Sequence, residues 1–168
     1  MDADEFETFV RDSAPVLRRY ARAVTADPEQ AEALLHQAYV RMATRWHRLV
    51  AEGGLLAYAK VTMVRLQVSR LRAVVRRLRS AGAAPPSAAA GEYGQADHDH
   101  LRGLLAGLPP MQRVVLVMTY LDNLDDESIA AATGRRPATV RSLRDRALGT
   151  LRAELPVTRV RAEREVAG

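Results

Sequence analysis

The chain has 168 residues, 48% of them hydrophobic and 27% charged, with a net charge of +5 at pH 7 and no cysteine. That length holds one medium domain or two small ones, and the missing cysteine excludes disulfides, thiolate zinc sites and cysteine nucleophiles. The acidic start, MDADEFETF, lacks the basic and apolar regions of a secretory leader, and no apolar run approaches the roughly 18 residues of a membrane span, so the expectation is a cytoplasmic protein without membrane insertion.

In chain order, the first predicted helix runs from about Asp4 to Thr25 with Phe6, Phe9, Val10, Leu17, Tyr20 and Val24 inward, and Pro15 is expected to kink or split it. Asp27-Pro28-Glu29 supplies an N-cap, a proline at N1 and an early acid for a second helix, from about Pro28 to Val50. Leu34, Leu35, Ala38, Met42 and Trp46 share its core face, while Ala33, His36, Gln37, Val40 and His47 lie opposite. Gly53-Gly54 breaks the chain before a third helix.

That third helix contains KVTMVRLQVSRLRAVVRRLR, residues 60–79, with seven basic side chains and no acid. At about 100° per residue, Val61, Val64, Val68, Leu71, Val75 and Leu78 share one face, and Arg65, Ser69, Arg72 and Arg76 form a separate stripe. A face meant only for solubility normally mixes signs. Membrane docking fits poorly because the apolar face carries no Trp or Phe. Nucleic acid is the favoured partner of the stripe.

Residues 81–96, AGAAPPSAAAGEYGQA, are small, proline-bearing and nearly aperiodic, the composition of a flexible linker. A short helix over residues 97–108 ends at Gly107, and Pro109-Pro110 restarts the chain into MQRVVLVMTYLDNL. LDDESIAAATG and RRPATVRSLRDRALGTLRAEL then have helix-turn-helix spacing: Asp125 or Asp126 caps the first helix, Ile129 and Ala130 pack inward, Gly134 turns, and Arg136-Pro137 opens the second.

In that last helix Val140, Leu143, Ala147 and Leu151 face the core, and Arg144 sits at its boundary, where its stem can snorkel. Thr139, Arg141, Ser142 and Arg146 are the candidates for base readout, with Arg135 and Arg136 placed for phosphates. Asp145 shares the outer half, where a carboxylate repels phosphate unless it accepts from a cytosine amino group or a neighbouring arginine. The tail over residues 156–168 mixes charges, with disorder and a continued helix after a break as its two readings. His98-Asp99-His100 abuts the linker and its two imidazoles would point apart in a helix, so no metal site is assigned. No glycine-rich phosphate loop or nucleophile motif marks an enzyme, and no cofactor is expected.

These segments resemble a bacterial RNA polymerase sigma factor of the extracytoplasmic-function (group IV) type, which keeps only regions 2 and 4. The resemblance spans roughly residues 5–155. LPPMQRVVLVMTYLDNLDDESIAAATGRRPATVRSLRDRALGTLR is similar to region 4, AEALLHQAYVRMATRW resembles regions 2.1 to 2.2, and AYAKVTMVRLQVSRLR looks like regions 2.3 to 2.4 of the actinobacterial branch. The resemblance implies an all-α protein of two small helical domains joined by a flexible linker: region 2 over 1–80, linker 81–96, region 4 over 97–155 and a charged tail.

It further implies a non-enzymatic initiation factor that binds core RNA polymerase and promoter DNA, and it is compatible with an anti-sigma factor or other regulator as a third partner. By the same resemblance the polymerase-binding residues are Leu35, His36, Gln37, Val40 and Arg41, and the −10 promoter residues are Lys60, Arg65, Ser69, Arg72 and Arg76. The −35 surface is Arg135, Arg136, Thr139, Arg141, Ser142 and Arg146. The chain departs from the family's usual AEDLVQE with AEALLHQ, placing Ala33, His36 and Gln37 in the polymerase-binding segment. Arg65 stands where the melting segment usually has asparagine, Leu71 replaces a common tryptophan, and Arg135-Arg136 replaces cysteine-serine. Two rival readings are a dimeric helix-turn-helix regulator that never joins polymerase, and an interaction protein that titrates regulators of other sigma factors.

Overall fold

A computed structural model describes residues 3–83 and 102–166. All the regular structure among these residues is helical, and the chain divides into two compact units, Met1–Pro86 and Ser87–Gly168. Most of the expected linker and the His98-Asp99-His100 triplet lie outside the described residues.

In the first unit, α1 (Ala3–Thr25), α2 (Pro28–Ala43) and α4 (Leu55–Ser80) pack together, with the short α3 (Trp46–Glu52) between the last two in sequence. Helix α1 runs unbroken through Pro15, so of the kink and the split allowed for there, the split does not occur. The proline is exposed, as is Arg11, whose carbonyl loses its intrahelical partner, so water can satisfy that oxygen. Asp27 caps α2 as expected, accepting from the Gln30 amide at 3.0 Å, with Pro28 in the first turn.

The second predicted helix is in fact two. It ends at Ala43, and α3 restarts at Trp46 after Arg45 adopts a non-helical backbone. The break lets Trp46 enter the core, 2% exposed, where Phe6 meets it edge-on at 4.9 Å and Phe9 lies at 5.4 Å. Its indole Nε1 is buried without a hydrogen-bond partner. Tyr39 ties α2 to α1: its hydroxyl shares a hydrogen bond with Ser13 Oγ at 2.9 Å and donates to the Val10 carbonyl at 3.3 Å. Burial pushes the Tyr39 phenol above its ordinary pKa, against the lowering effect of the Ser13 hydrogen bond. Gly53 and Gly54 hold positive φ angles of 74° and 70°, the left-handed conformations that reverse the chain before α4.

Helix α4 buries Ala59, Thr62, Met63, Val64, Gln67 and Val68. This face is turned by roughly a quarter of a helical revolution from the expected valine face. The reason is composition: a buried threonine and glutamine interrupt the true core stripe, while Val61, Leu71, Val75 and Leu78 are only half-buried. No residue after Val68 is buried, so the last three turns of α4 extend past the packed bundle.

In the second unit, the described part of α5 covers residues 102–106, followed by α6 (Pro110–Tyr120), α7 (Asp126–Thr133) and α8 (Pro137–Val166). Val114, Val115, Leu116, Val117 and Met118 of α6 are all buried, against Leu105, Leu108, Ile129, Val140 and Ala147. Arg113 is buried with them. Its guanidinium donates to the carbonyls of Leu105 at 2.7 Å, Ala106 at 3.2 Å and Leu108 at 2.9 Å, filling the acceptors left at the end of α5. Burial lowers its pKa. Helix α8 continues unbroken through Pro156 to Val166, so the backbone of the expected tail carries on the helix without the break that was allowed for.

Candidate nucleic-acid interface

In the second unit, α7 and α8 form the turn that the sequence spacing predicts. Asp125 takes the N-cap, accepting from the Ser128 amide at 2.8 Å, and these hydrogen bonds hold its carboxyl below the usual aspartate range. Gly134 ends α7 at φ 64°, where its amide and that of Arg135 reach back to the Ala130 carbonyl. Thr133 is buried and donates to the Ile129 carbonyl at 2.7 Å.

This turn presents the outer side of α8. Arg135, Arg136, Arg141, Ser142 and Arg146 are exposed and Thr139 is half-buried, so the six residues named from the sequence share the accessible side. Val140 and Ala147 lie in the core, with Leu143 and Leu151 half-buried at its edge. Arg144 does more than snorkel: it pairs with Asp126 of α7 through Nη1, and through Nη2 at 3.4 Å. The pair raises the Arg144 pKa, chiefly through the hydrogen bond. The same carboxylate lies 3.8 Å from Nε of Arg141. The sequence offered Asp125 and Asp126 as alternative caps; their roles divide because only Asp126 faces α8.

In the first unit, Arg65, Ser69, Arg72 and Arg76 are all exposed along α4, on the side opposite Met63. From Arg65 to Arg76 the stripe covers about 16 Å, the length of roughly five base pairs. Arg79 is exposed beside it; Arg70 and Arg77 are exposed too, but helical periodicity puts them nearly in line with Met63, away from the stripe. Lys60 is not brought to the stripe. It sits about 140° away around the helix, half-buried, with Nζ 5.1 Å from the centre of the Tyr20 ring on α1.

On α2, His36, Gln37, Val40 and Arg41 are exposed on one face, and Val40 keeps 51% of its surface although it is apolar. Leu35 does not belong with them. It is 4% exposed and packs in the core beside Leu34 and Ala38, so its side chain cannot meet a partner. The sequence assigned it to both faces; helical geometry permits only the inner one, because Leu35 falls in line with Ala31, Ala38 and Met42.

An all-helical chain with a helix-turn-helix in one unit and a basic helix in the other has the form of a DNA-binding protein. Residues 98–151 match the family Sigma-70, region 4. The chain is 34% identical over 154 residues to the RNA polymerase sigma-E factor of Streptomyces avermitilis, covering 90% of this chain and 85% of that protein. It is 33% identical over 156 residues to the protein of that name in Streptomyces coelicolor, with 90% and 86% coverage. Among solved structures, the sigma factor RpoE of Bartonella quintana, crystallised with the anti-sigma factor NepR, matches with a TM-score of 0.65 and 22% identity. That match covers 92% of this chain and 99% of RpoE, and at this identity it speaks for the fold. This chain belongs to the RNA polymerase sigma factors of the sigma-70 family, extracytoplasmic-function type.

Proposed function

We propose that this protein is an alternative sigma factor that joins core RNA polymerase through the exposed face of α2, engages the −10 element with the stripe on α4, and reads the −35 element with α8. The observation that carries the reading is the likeness to sigma-E factors across nine-tenths of the chain, which takes in both units. The exposed His36, Gln37, Val40 and Arg41 supply a mixed polar and apolar docking face. The exposed arginines of α4 supply the cations that a duplex backbone requires. In this reading the chain does no bond chemistry and needs no cofactor, because polymerase supplies the catalysis. No described helix is long and apolar enough to cross a membrane, which accords with work at the bacterial chromosome in the cytoplasm.

Lys60 and Leu35 drop out of the proposed contact surfaces for the geometric reasons given above. The dimeric-regulator reading accounts for α7 and α8 but leaves α2 and the α4 stripe without a task. Because the RpoE structure holds an anti-sigma factor, a protein regulator of that kind is a reasonable third partner here.

The test is transcription in vitro from a genomic promoter library, with core polymerase and this protein alone. Promoter-specific initiation that Arg72→Ala weakens, and that Val40→Asp abolishes through loss of polymerase binding, is the expected result. Stable dimeric operator binding with no polymerase association would sink the reading.

A further inference from the structure

One carboxylate ties the two helices of the helix-turn-helix together. Asp126 lies near the start of α7, 22% exposed, and Arg144 of α8 grips both of its oxygens. A carboxylate held at two points by an arginine fork has a fixed direction. Its remaining neighbour is Arg141, one turn earlier on α8, which approaches Oδ2 through Nε at 3.8 Å. Arg141 is otherwise an outer residue, its side chain 61% exposed.

A guanidinium carries its donors in a rigid plane, with Nε on one edge and the Nη pair at the tip. When the Nε edge faces an acid, the tip remains for a second acceptor. The guanine edge offers such an acceptor pair in O6 and N7, the commonest bidentate target of arginine in the major groove. A long cationic side chain next to DNA has a competing option, to swing onto the nearest phosphate and carry no sequence information. A fixed anion beside its Nε opposes that swing.

We propose that Asp126, clamped by Arg144, is a positioning residue that orients Arg141 for tip-on recognition of a guanine in the −35 duplex, and so sets specificity without touching DNA. This rests on the reading of α8 as the −35 helix. Asp126 faces away from the outer side of α8 and is legible in sequence only as a possible cap. Asp145, exposed and one turn after Arg141, is an acid of α8 itself, whereas Asp126 comes from α7 and is held in place by Arg144.

The experiment uses holoenzyme reconstituted with the full chain and a promoter library randomised over the −35 element. Arg141→Ala identifies the base pair that Arg141 reads, by a preference reduced about tenfold there. Asp126→Asn is expected to flatten preference at that same base pair to a comparable extent. Arg144→Met, which leaves the carboxylate unclamped, is expected to flatten preference at the same base pair in part, whereas Ile129→Val, which loosens the core of α7 without touching the ion pair, is expected to keep the preference while lowering the melting midpoint. That split separates positioning from plain structural support.

Wild-type preference in Asp126→Asn overturns the proposal, and so does equal flattening by Ile129→Val, which would make the effect merely structural. Unchanged preference in Arg141→Ala overturns it as well. As a second probe, should Asp126→Asn fail to fold, Asp126→Glu keeps the charge but moves the carboxylate one methylene outward; weakened preference supports the proposal and unchanged preference overturns it. If wild-type holoenzyme selects no promoter at all, the sigma reading itself fails and this proposal falls with it.

Discussion

Lys60, the only lysine in the chain, holds its ammonium 5.1 Å from the centre of the Tyr20 ring. Tyr20 is 4% exposed in α1 and Lys60 belongs to α4, so this cation-π contact joins two helices of the bundle. Family resemblance places Lys60 among the promoter residues, whereas the structure directs its charge into the domain. Lys60→Met, which keeps the stem and removes the charge, is expected to lower the unfolding free energy of the first unit by about 0.5 to 1 kcal/mol, with Lys60→Arg close to wild type. Chemical denaturation measures this. In the same proteins, promoter opening is expected to survive Lys60→Met and to suffer in Arg72→Ala. The reverse outcome would return Lys60 to the DNA surface.

The second prediction concerns where the core of α4 stops. Met63 is fully buried, and Leu78, which has the same place in the valine pattern as Val64, is half-buried beyond the last packed turn. Met63→Ala is expected to cost about 2 to 5 kcal/mol, since it opens a cavity among residues that cannot all collapse into it. Leu78→Ala is expected to cost under about 1 kcal/mol. Urea unfolding of the full chain, followed through the first unit, distinguishes the two. A large loss at Leu78 would mean that the outer turns of α4 are packed after all.

Asp125 gives the third prediction, in pH. Its hydrogen bonds to Ser128 depress the folded pKa below the unfolded value. A depressed aspartate contributes its stability above the unfolded pKa and loses it as pH falls through the folded one. Asp125→Asn still caps α7 but does not titrate there. Thermal melts of the two proteins are therefore expected to run nearly parallel near neutrality, with wild type falling relative to Asp125→Asn as the solution becomes more acid than the ordinary aspartate range. A constant gap across that range would show that the cap does not depend on the charge.

Arg144 and Leu35 show why sequence and structure divide the work as they do. The helix-turn-helix was legible because its signals are local: Asp125 accepts from an amide three residues away, Gly134 needs only its own positive φ, and Pro137 preorganises its own turn. The stripe of Arg65, Ser69, Arg72 and Arg76 was legible for the same reason, because helical periodicity fixes which side chains share a side whatever the helix packs against.

What that periodicity leaves open is which side turns inward, and only tertiary contacts decided it. They selected Met63 and Gln67 over the more hydrophobic valine line, broke the long helix before Trp46 so that Phe6 and Phe9 could close on it, and drew Leu35 into the core. They also placed Lys60 over Tyr20 and Asp126 between two arginines eighteen and fifteen residues away. A one-dimensional pattern ranks residues by their own chemistry, whereas burial and ion pairing depend on which distant segment arrives next to them. The arginine stripe of α4 was legible in the sequence; the acid that lies against Arg141 came from another helix, where only the tertiary structure could bring it.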